Sequence, residues 1–296
     1  MTFKDKLKHI YEQKYKTLLI IPMLLVVFAI AQISIQYATT GDFVNKGISL
    51  QGGSTISFPI DSSFTAAELQ TFLHERFPQA DITVRTISSA GTITGIAIDS
   101  DIQLDAEITA LRAAIEEKTS LKTADISVEV IGSSLGENFF KQTFIALIVA
   151  FFLMGITVII YFRMLVPSLA VILAGFSDII VTLAIFNVTG MKLSTAGVAA
   201  FLMLIGYSVD TDILLTSRVL KQHHGTVMER IYGAIKTGLT MTTTTLVAVA
   251  VALIFVKSDT IKQIMLIIFI GVLVDIIMTW IQNVAILRMY IERKHR

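Results

Sequence analysis

The chain contains no cysteine, and it has only four prolines, one tryptophan and five histidines. Without cysteine there are no disulfide staples, thiolate metal sites or cysteine nucleophiles, so any part outside the membrane must fold on its own core. The histidines (His9, His74, His223, His224 and His295) all fall outside the long apolar runs. They offer no catalytic or metal-ligating constellation: His74 reads as a solvated helix residue and His223-His224 as a solvated turn. Charge is scarce as well, at 16% of 296 residues with a formal net of +1, which is not the balance of a nucleic-acid binder.

Apolar residues take up what is left, at 54% of the chain, more than a soluble core requires. They gather in blocks of about 20, enough to cross roughly 30 Å of hydrocarbon as helix. The pattern predicts a membrane helical bundle of six spans, at about 17–36, 143–162, 166–187, 195–216, 236–256 and 261–287. A basic arm over 1–16 precedes the first span and a short tail, 288–296, follows the last. The arm and first span read as a retained signal anchor, because the apolar stretch is long and no small-x-small cleavage site follows.

Lysine and arginine set the orientation. Counted over the short flanks, fourteen fall on one side, in the N-terminal arm, the 2–3 turn, the 4–5 loop and the tail, and the opposite short loops hold only Lys192, Lys257 and Lys262. Both termini are therefore expected in the cytoplasm of a multi-pass cell-membrane protein.

Residues 39–138 form a polar insert between the first two spans, long enough to be a domain. "ISLQGGSTISFPI" (48–60) reads as a strand interrupted at Gly52-Gly53, a bulge or a close backbone approach. "TAAELQTFLHERF" (65–77) is a helix opened by a Thr65/Glu68 capping box. Two alternating runs flank Ala90-Gly91 as a hairpin, 104–118 is a second amphipathic helix, and 125–132 a last strand. The order β-α-β-β-α-β predicts an α+β ferredoxin-like fold. The insert holds fourteen acidic against six basic residues, with no spacing that suggests a metal or a catalytic site.

The chemistry-bearing residues lie in the spans. Asp178, Asp210 and Asp275 fall near the centres of spans 3, 4 and 6, where a carboxylate costs about 2.5–3.5 kcal/mol on insertion scales. Asp210 shares a stripe with Ala199, Met203, Gly206, Ile213/Leu214 and Ser217, and the small residues on it let another helix approach. Asp212 projects away from it and reads as nearer the membrane surface, served by Arg218 or water. On span 6, Gly271, Asp275, Thr279 and Gln282 form one polar stripe facing other protein. Span 5 carries Thr237, Thr240 and Thr244 on one face; such threonines often bond their own i−4 carbonyls. Lys236 opens that span, to snorkel toward headgroups or to bend toward Asp210. A proton or cation relay is the natural role for the central carboxyls, with helix-packing glue as the alternative.

Four stretches carry a family resemblance: "KGISLQGGSTISF" (46–58), "EVIGSSLGENF" (129–139), "GFSDIIVTLAIF" (175–186) and "GYSVDTDILLTSRVL" (206–220). Together with the span plan they resemble the SecD/SecF family of protein-export membrane proteins, the "SVDTDILL" form looking more archaeal than bacterial. Bacterial members commonly have Pro in the segment matching Ser133 and a basic residue, usually Arg, in span 5; here span 5 has no Arg in that region and Lys236 stands nearest.

The resemblance implies one six-span half of a resistance-nodulation-division type transporter, with SecD as the other half. It further implies the Sec translocon channel and a translocating polypeptide as partners, in a lipid bilayer. It assigns motif roles to Gly52 and Gly53 in the outer domain and to Gly206, Tyr207 and Ser208 in span 4. The expected function is assistance to protein translocation or insertion, driven by ion flow past Asp210, Asp178, Asp275 and Asp212, with no bond chemistry and no cofactor. The rivals are a small-molecule or lipid exporter half of the same superfamily, and a structural subunit that only positions SecD.

Overall fold

The computed structural model describes residues 9–59, 65–89, 92–119, 126–222, 224–256 and 258–294. The expected hairpin tip at Ala90-Gly91, His223, His295 and half of the basic arm lie outside them.

Among the described residues six helices are long and apolar enough to cross a membrane: span 1 (Tyr15–Thr40), span 2 (Ser133–Phe162), span 3 (Leu165–Val188), span 4 (Thr195–Lys221), span 5 (Val227–Phe255) and span 6 (Asp259–Lys294). All six expected spans are present, and spans 2, 5 and 6 outrun their apolar runs the furthest. Span 2 starts ten residues before the expected 143, span 5 nine before 236, and span 6 runs on to Lys294. "SSLGENFFKQ" and "VMERIYGAI" are too polar to register as membrane, yet both propagate helix from a neighbouring apolar turn. Thr226 starts span 5 through a capping box with Glu229, at 3.2 and 2.8 Å. Lys236 is thus a third-turn residue rather than the first of its helix.

Spans 3, 4 and 6 form the buried centre of the bundle, and spans 1, 2 and 5 show lipid-type side chains outward. Span 6 is not a uniform α-helix: Met278–Asn283 is a π-helical segment, which accommodates one extra residue in the turn and re-aims the side chains after it.

Between spans 1 and 2 lie α1 (Ile48–Gln51), β1 (Gly53–Pro59), α2 (Ala66–Arg76), β2 (Ile82–Ser89), β3 (Thr92–Ser100), α3 (Asp105–Thr119) and β4 (Ser127–Ile131). The four strands make one sheet in the order β2-β3-β1-β4, every neighbouring pair antiparallel. Alternate strand residues Ile56, Phe58, Ile96 and Ile98 meet Leu69 and Leu73 of α2 and Leu111 and Ile115 of α3 in one apolar core. Thr65 caps α2 with Glu68 as expected. Two hydrogen bonds from Thr65 hold the exposed Glu68 carboxyl below the usual glutamate range.

The expected strand over 48–60 is corrected at its start. Residues 48–51 are a helical turn, and the strand begins at Gly53, because Gly52 and Gly53 take φ of +88° and +142°. The pair is also a close-approach point: Gly52 lies against the backbone of Gly132 and Ser133, and Gly136 of span 2 against Gly52. Ser133 is further held by Gln103 Oε1, its hydroxyl donating at 2.6 Å. Across the bundle, Lys192 in the 3–4 loop forms an ion pair with Asp81 at 2.5 Å. Leu193 in the same loop exchanges backbone hydrogen bonds with Asn45 and Gly47, at 2.6 and 2.8 Å.

Candidate functional site: buried and exposed membrane carboxyls

The structure separates the four membrane aspartates into two settings. Asp178, Asp212 and Asp275 are fully buried among spans 3, 4 and 6, whereas Asp210 lies on an exposed face of span 4.

Span 4 positions the buried group through its inward face, where Leu204, Ser208, Thr211, Asp212 and Leu215 follow helical spacing. The Ser208 hydroxyl donates to Asp178 Oδ2. Thr211 Oγ1 stands 3.1 Å from Asp275 Oδ2, and Thr279 Oγ1 donates to Asp275 Oδ1 at 3.0 Å. Asn283 Nδ2 donates to Asp212 Oδ1 at 2.7 Å. Gln282 reaches Ser177 Oγ at 3.3 Å, joining span 6 to the turn before Asp178.

Gly271, Asp275, Thr279 and Gln282 of span 6 are all buried, as a stripe facing protein requires. Among the described residues no Lys, Arg or His forms an ion pair with any of the three carboxyls. Among the described residues no group of three His, Cys, Asp or Glu is arranged to hold a metal ion.

Asp212 is a correction. Instead of lying near water beside Arg218, it is enclosed with Asn283, and Arg218 binds the Gly233 carbonyl at 2.7 Å. Asn283 and Thr211 were missed by the sequence reading. Thr211 sits between two aspartates that drew the attention, and Asn283 lies in the π-helical segment one residue past Gln282, the last residue of the stripe read from the sequence. Three buried oxygens of the group have no hydrogen-bond partner: Asp178 Oδ1, Asp212 Oδ2 and Asn283 Oδ1.

Asp210 occupies the opposite setting. Ala199, Met203, Gly206 and Asp210 share one exposed stripe, and no atom outside its own helix comes within 4 Å of a Cβ built on Gly206. The small residues were read as permitting approach of another helix; no helix among the described residues covers them. Among those residues Asp210 has neither a hydrogen bond nor an ion pair, and Lys236 is exposed without reaching it.

The contacts Arg218 to Gly233 and Arg230 to Val219 set the register of spans 4 and 5. Asp210 then stands about level with Met241, roughly 8 Å along the helix from Lys236 at 1.5 Å per residue. Thr237, Thr240 and Thr245 of span 5 bond their own i−4 carbonyls, and Thr240, Thr243 and Thr244 are exposed beside the open stripe. Of the span 4 motif, Ser208 is buried on Asp178, Gly206 is exposed, and the Tyr207 hydroxyl is buried without a partner.

Residues 110–293 match the family described as protein export membrane protein SecD/SecF, C-terminal. The protein-export membrane protein SecF of Pyrococcus furiosus is 38% identical over 291 residues, covering 98% of this chain and 96% of that one. SecF of Methanothermobacter thermautotrophicus is 38% identical over 286 residues, covering 95% and 94%. Among solved structures, SecDF of Thermus thermophilus, described as a translocon-associated membrane protein, superimposes with a TM-score of 0.71 at 20% identity. That match covers 96% of this chain but 39% of the SecDF chain. With relatives of that identity along nearly its whole length, the chain belongs to the SecD/SecF family of protein-export membrane proteins.

Proposed function

We propose that the chain is the SecF-type half of an accessory protein-export complex, and that ion flow past Asp210 drives its outer domain to assist a polypeptide crossing or entering the membrane. The single observation that carries this reading is the exposed stripe of Ala199, Met203, Gly206 and Asp210 on an otherwise apolar helix. A carboxylate facing lipid near mid-membrane costs about 2.5–3.5 kcal/mol, so in the membrane that face requires a cover. Small residues on it admit a helix at close range. A SecD half supplies that helix, and Asp210 then lines the seam between the halves, where an ion passes from one side to the other. That the chain spans 39% of the SecDF chain it superimposes on is consistent with a second half being needed.

The antiparallel order β2-β3-β1-β4 supports a ferredoxin-like outer domain. The excess of Lys and Arg in the flanks supports both termini in the cytoplasm of a cell membrane, with the sheet unit outside to meet a polypeptide leaving the translocon.

The test is a pull-down of wild type and Asp210→Asn from native membranes, paired with an export assay with and without a dissipated proton gradient. The expected result is that both forms retain SecD and only the variant loses gradient-dependent export. Loss of SecD in the variant would reduce Asp210 to packing glue, and unchanged export would remove it from the coupling altogether.

A further inference from the structure

The stretch before span 1 is fastened to the end of the bundle remote from the sheet unit. Residues 9–13 are helical, and Tyr11 packs against the apolar cluster that includes Leu215 of span 4, Ile231 of span 5 and Trp280 of span 6. The Tyr11 hydroxyl donates to the Trp280 carbonyl at 2.7 Å. From span 6 the Arg288 guanidinium donates back to the carbonyls of Tyr11 and Glu12, at 3.1 and 2.9 Å, and lies 3.9 Å from the centre of the Tyr15 ring. Tyr15 in turn donates to Glu292 at 2.5 Å. A single further bond joins this stretch to span 5, from the Tyr232 hydroxyl to Glu12 at 2.9 Å.

The contacts with span 6 straddle its π-helical segment. Trp280 lies inside Met278–Asn283, whereas Arg288 and Glu292 lie beyond it. An i→i+5 turn is rare, so the surroundings of the segment decide whether it persists. If those residues were α-helical, everything after them would be turned by about one residue's rotation, roughly 100°, relative to the helix before them. A side chain about 5–6 Å from the helix axis moves roughly 8 Å in such a turn, far beyond hydrogen-bond reach. Arg288 would then lose the carbonyls of Tyr11 and Glu12, and Glu292 would lose Tyr15. The contacts around residues 11–15 therefore fit the π-helical form alone.

The middle of the segment is held from a second side. The Trp280 ring is 5% exposed and sits on Gly238 of span 5, where an added Cβ would stand 2.2 Å from Trp280 Cζ2. Its ring is seated on span 5 and its carbonyl on Tyr11.

We propose that residues 9–15 are a strap that holds span 6 in its π-helical register, with Tyr11 and Arg288 as positioning residues, and that release of the strap turns the end of span 6. The strapped segment also carries Thr279 and Asn283, which bond Asp275 and Asp212. The strap thus bears on the six residues that brace the centre of the bundle. The inference is independent of ion flow and of Asp210, and its readouts involve neither.

The chain has no cysteine and one tryptophan, Trp280, so introduced spin labels and native fluorescence each report single positions. In the full chain in lipid vesicles, a nitroxide on Arg293→Cys is paired in turn with one on Leu165→Cys and one on His224→Cys, all exposed positions at this end of the bundle. Pulsed electron resonance reads the two distances, and Trp280 emission is recorded on unlabelled chain. The wild type should give one distance population per pair. Tyr11→Phe keeps the ring and removes one hydroxyl; it should add a second population displaced by several Å in at least one pair and shift Trp280 emission to the red. Tyr11→Phe combined with Arg288→Met should make that population dominant. Tyr232→Phe, which cuts the bond to span 5 and none to span 6, should match the wild type.

Unchanged distances in the combined variant would overturn the proposal, even with a shifted Trp280 emission, because residues 9–15 would then only pack over the tryptophan. If the combined variant does not fold, Tyr11→Phe decides alone, and its unchanged distances overturn the proposal equally. An equal displacement in Tyr232→Phe would also overturn it, as the mark of a general loosening of the bundle end.

Discussion

Gly52→Ala is predicted to open the joint between the sheet unit and span 2. Gly52 has φ +88° and ψ 170°, a region that is essentially glycine-only and costs a side-chain-bearing residue about 1–3 kcal/mol. The added Cβ would stand 2.6 Å from Ser133 Cα, 2.7 Å from Ser133 N and 3.0 Å from the Gly132 carbonyl carbon. These are backbone atoms and cannot rotate away, so relief requires the start of span 2 to move; overpacking of this kind costs a further 1–3 kcal/mol or so. The sum is about 2–6 kcal/mol. At roughly 2–4 °C per kcal/mol, the melting temperature should fall by at least about 4 °C. Thermal unfolding of the purified chain measures it, with limited proteolysis at 46–58 reporting whether the joint itself loosens. Gly132→Ala is the control, since a Cβ there meets nothing within 4 Å and the loss of a glycine N-cap costs under about 1 kcal/mol. The reasoning is refuted if Gly52→Ala and Gly132→Ala melt together.

Gly206→Leu should leave the melting temperature of the isolated chain within about 2 °C of wild type, because its Cβ position is open, yet abolish copurification of SecD; retained SecD would place the partner on another face. In the sheet unit, the carboxyl of Glu68 is held below the ordinary glutamate range by Thr65, so its contribution is fully present above the unfolded-state pKa. That contribution is lost as pH falls through the depressed folded value. Glu68→Gln should therefore flatten stability against pH on the acid side and leave it little changed in slope near neutrality, as read by denaturant titration at several pH values; an unaltered acid limb would count against the capping box as its source.

Much of this was legible from residue order, for reasons specific to each element. Aspartates in apolar runs stand out against composition, so Asp178 and Asp275 marked the bundle centre without any tertiary information. The Thr65/Glu68 box is local and three residues long, and it reads directly. Asp212 did not, because a helical wheel centred on Asp210 tells which residues share a face but not which face is covered. The covered face is the one holding Ser208 and Asp212. Asn283 continues the i+4 row of Asp275 and Thr279, but an amide at the end of an apolar run carries no charge to single it out, and only its enclosure with Asp212 gives it a part. The Gly52-Gly53 pair announced a close approach, while its counterpart Gly136 lies far along the chain and had no local signal.

Span 4 is fastened at both ends. Ser194 N–H and hydroxyl donate to Gln263 Oε1 at 3.1 and 2.5 Å, Gln263 Nε2 donates to the Lys192 carbonyl at 2.6 Å, and Thr195 N–H reaches Ser49 at 3.3 Å. At the far end Arg218 grips the Gly233 carbonyl. A rod of 27 residues so clamped has little play along its axis. These contacts tie the start of span 4 to residues 45–49 and, through the glycine joint that follows them, to the root of β1, so the membrane bundle and the sheet are stitched at one seam.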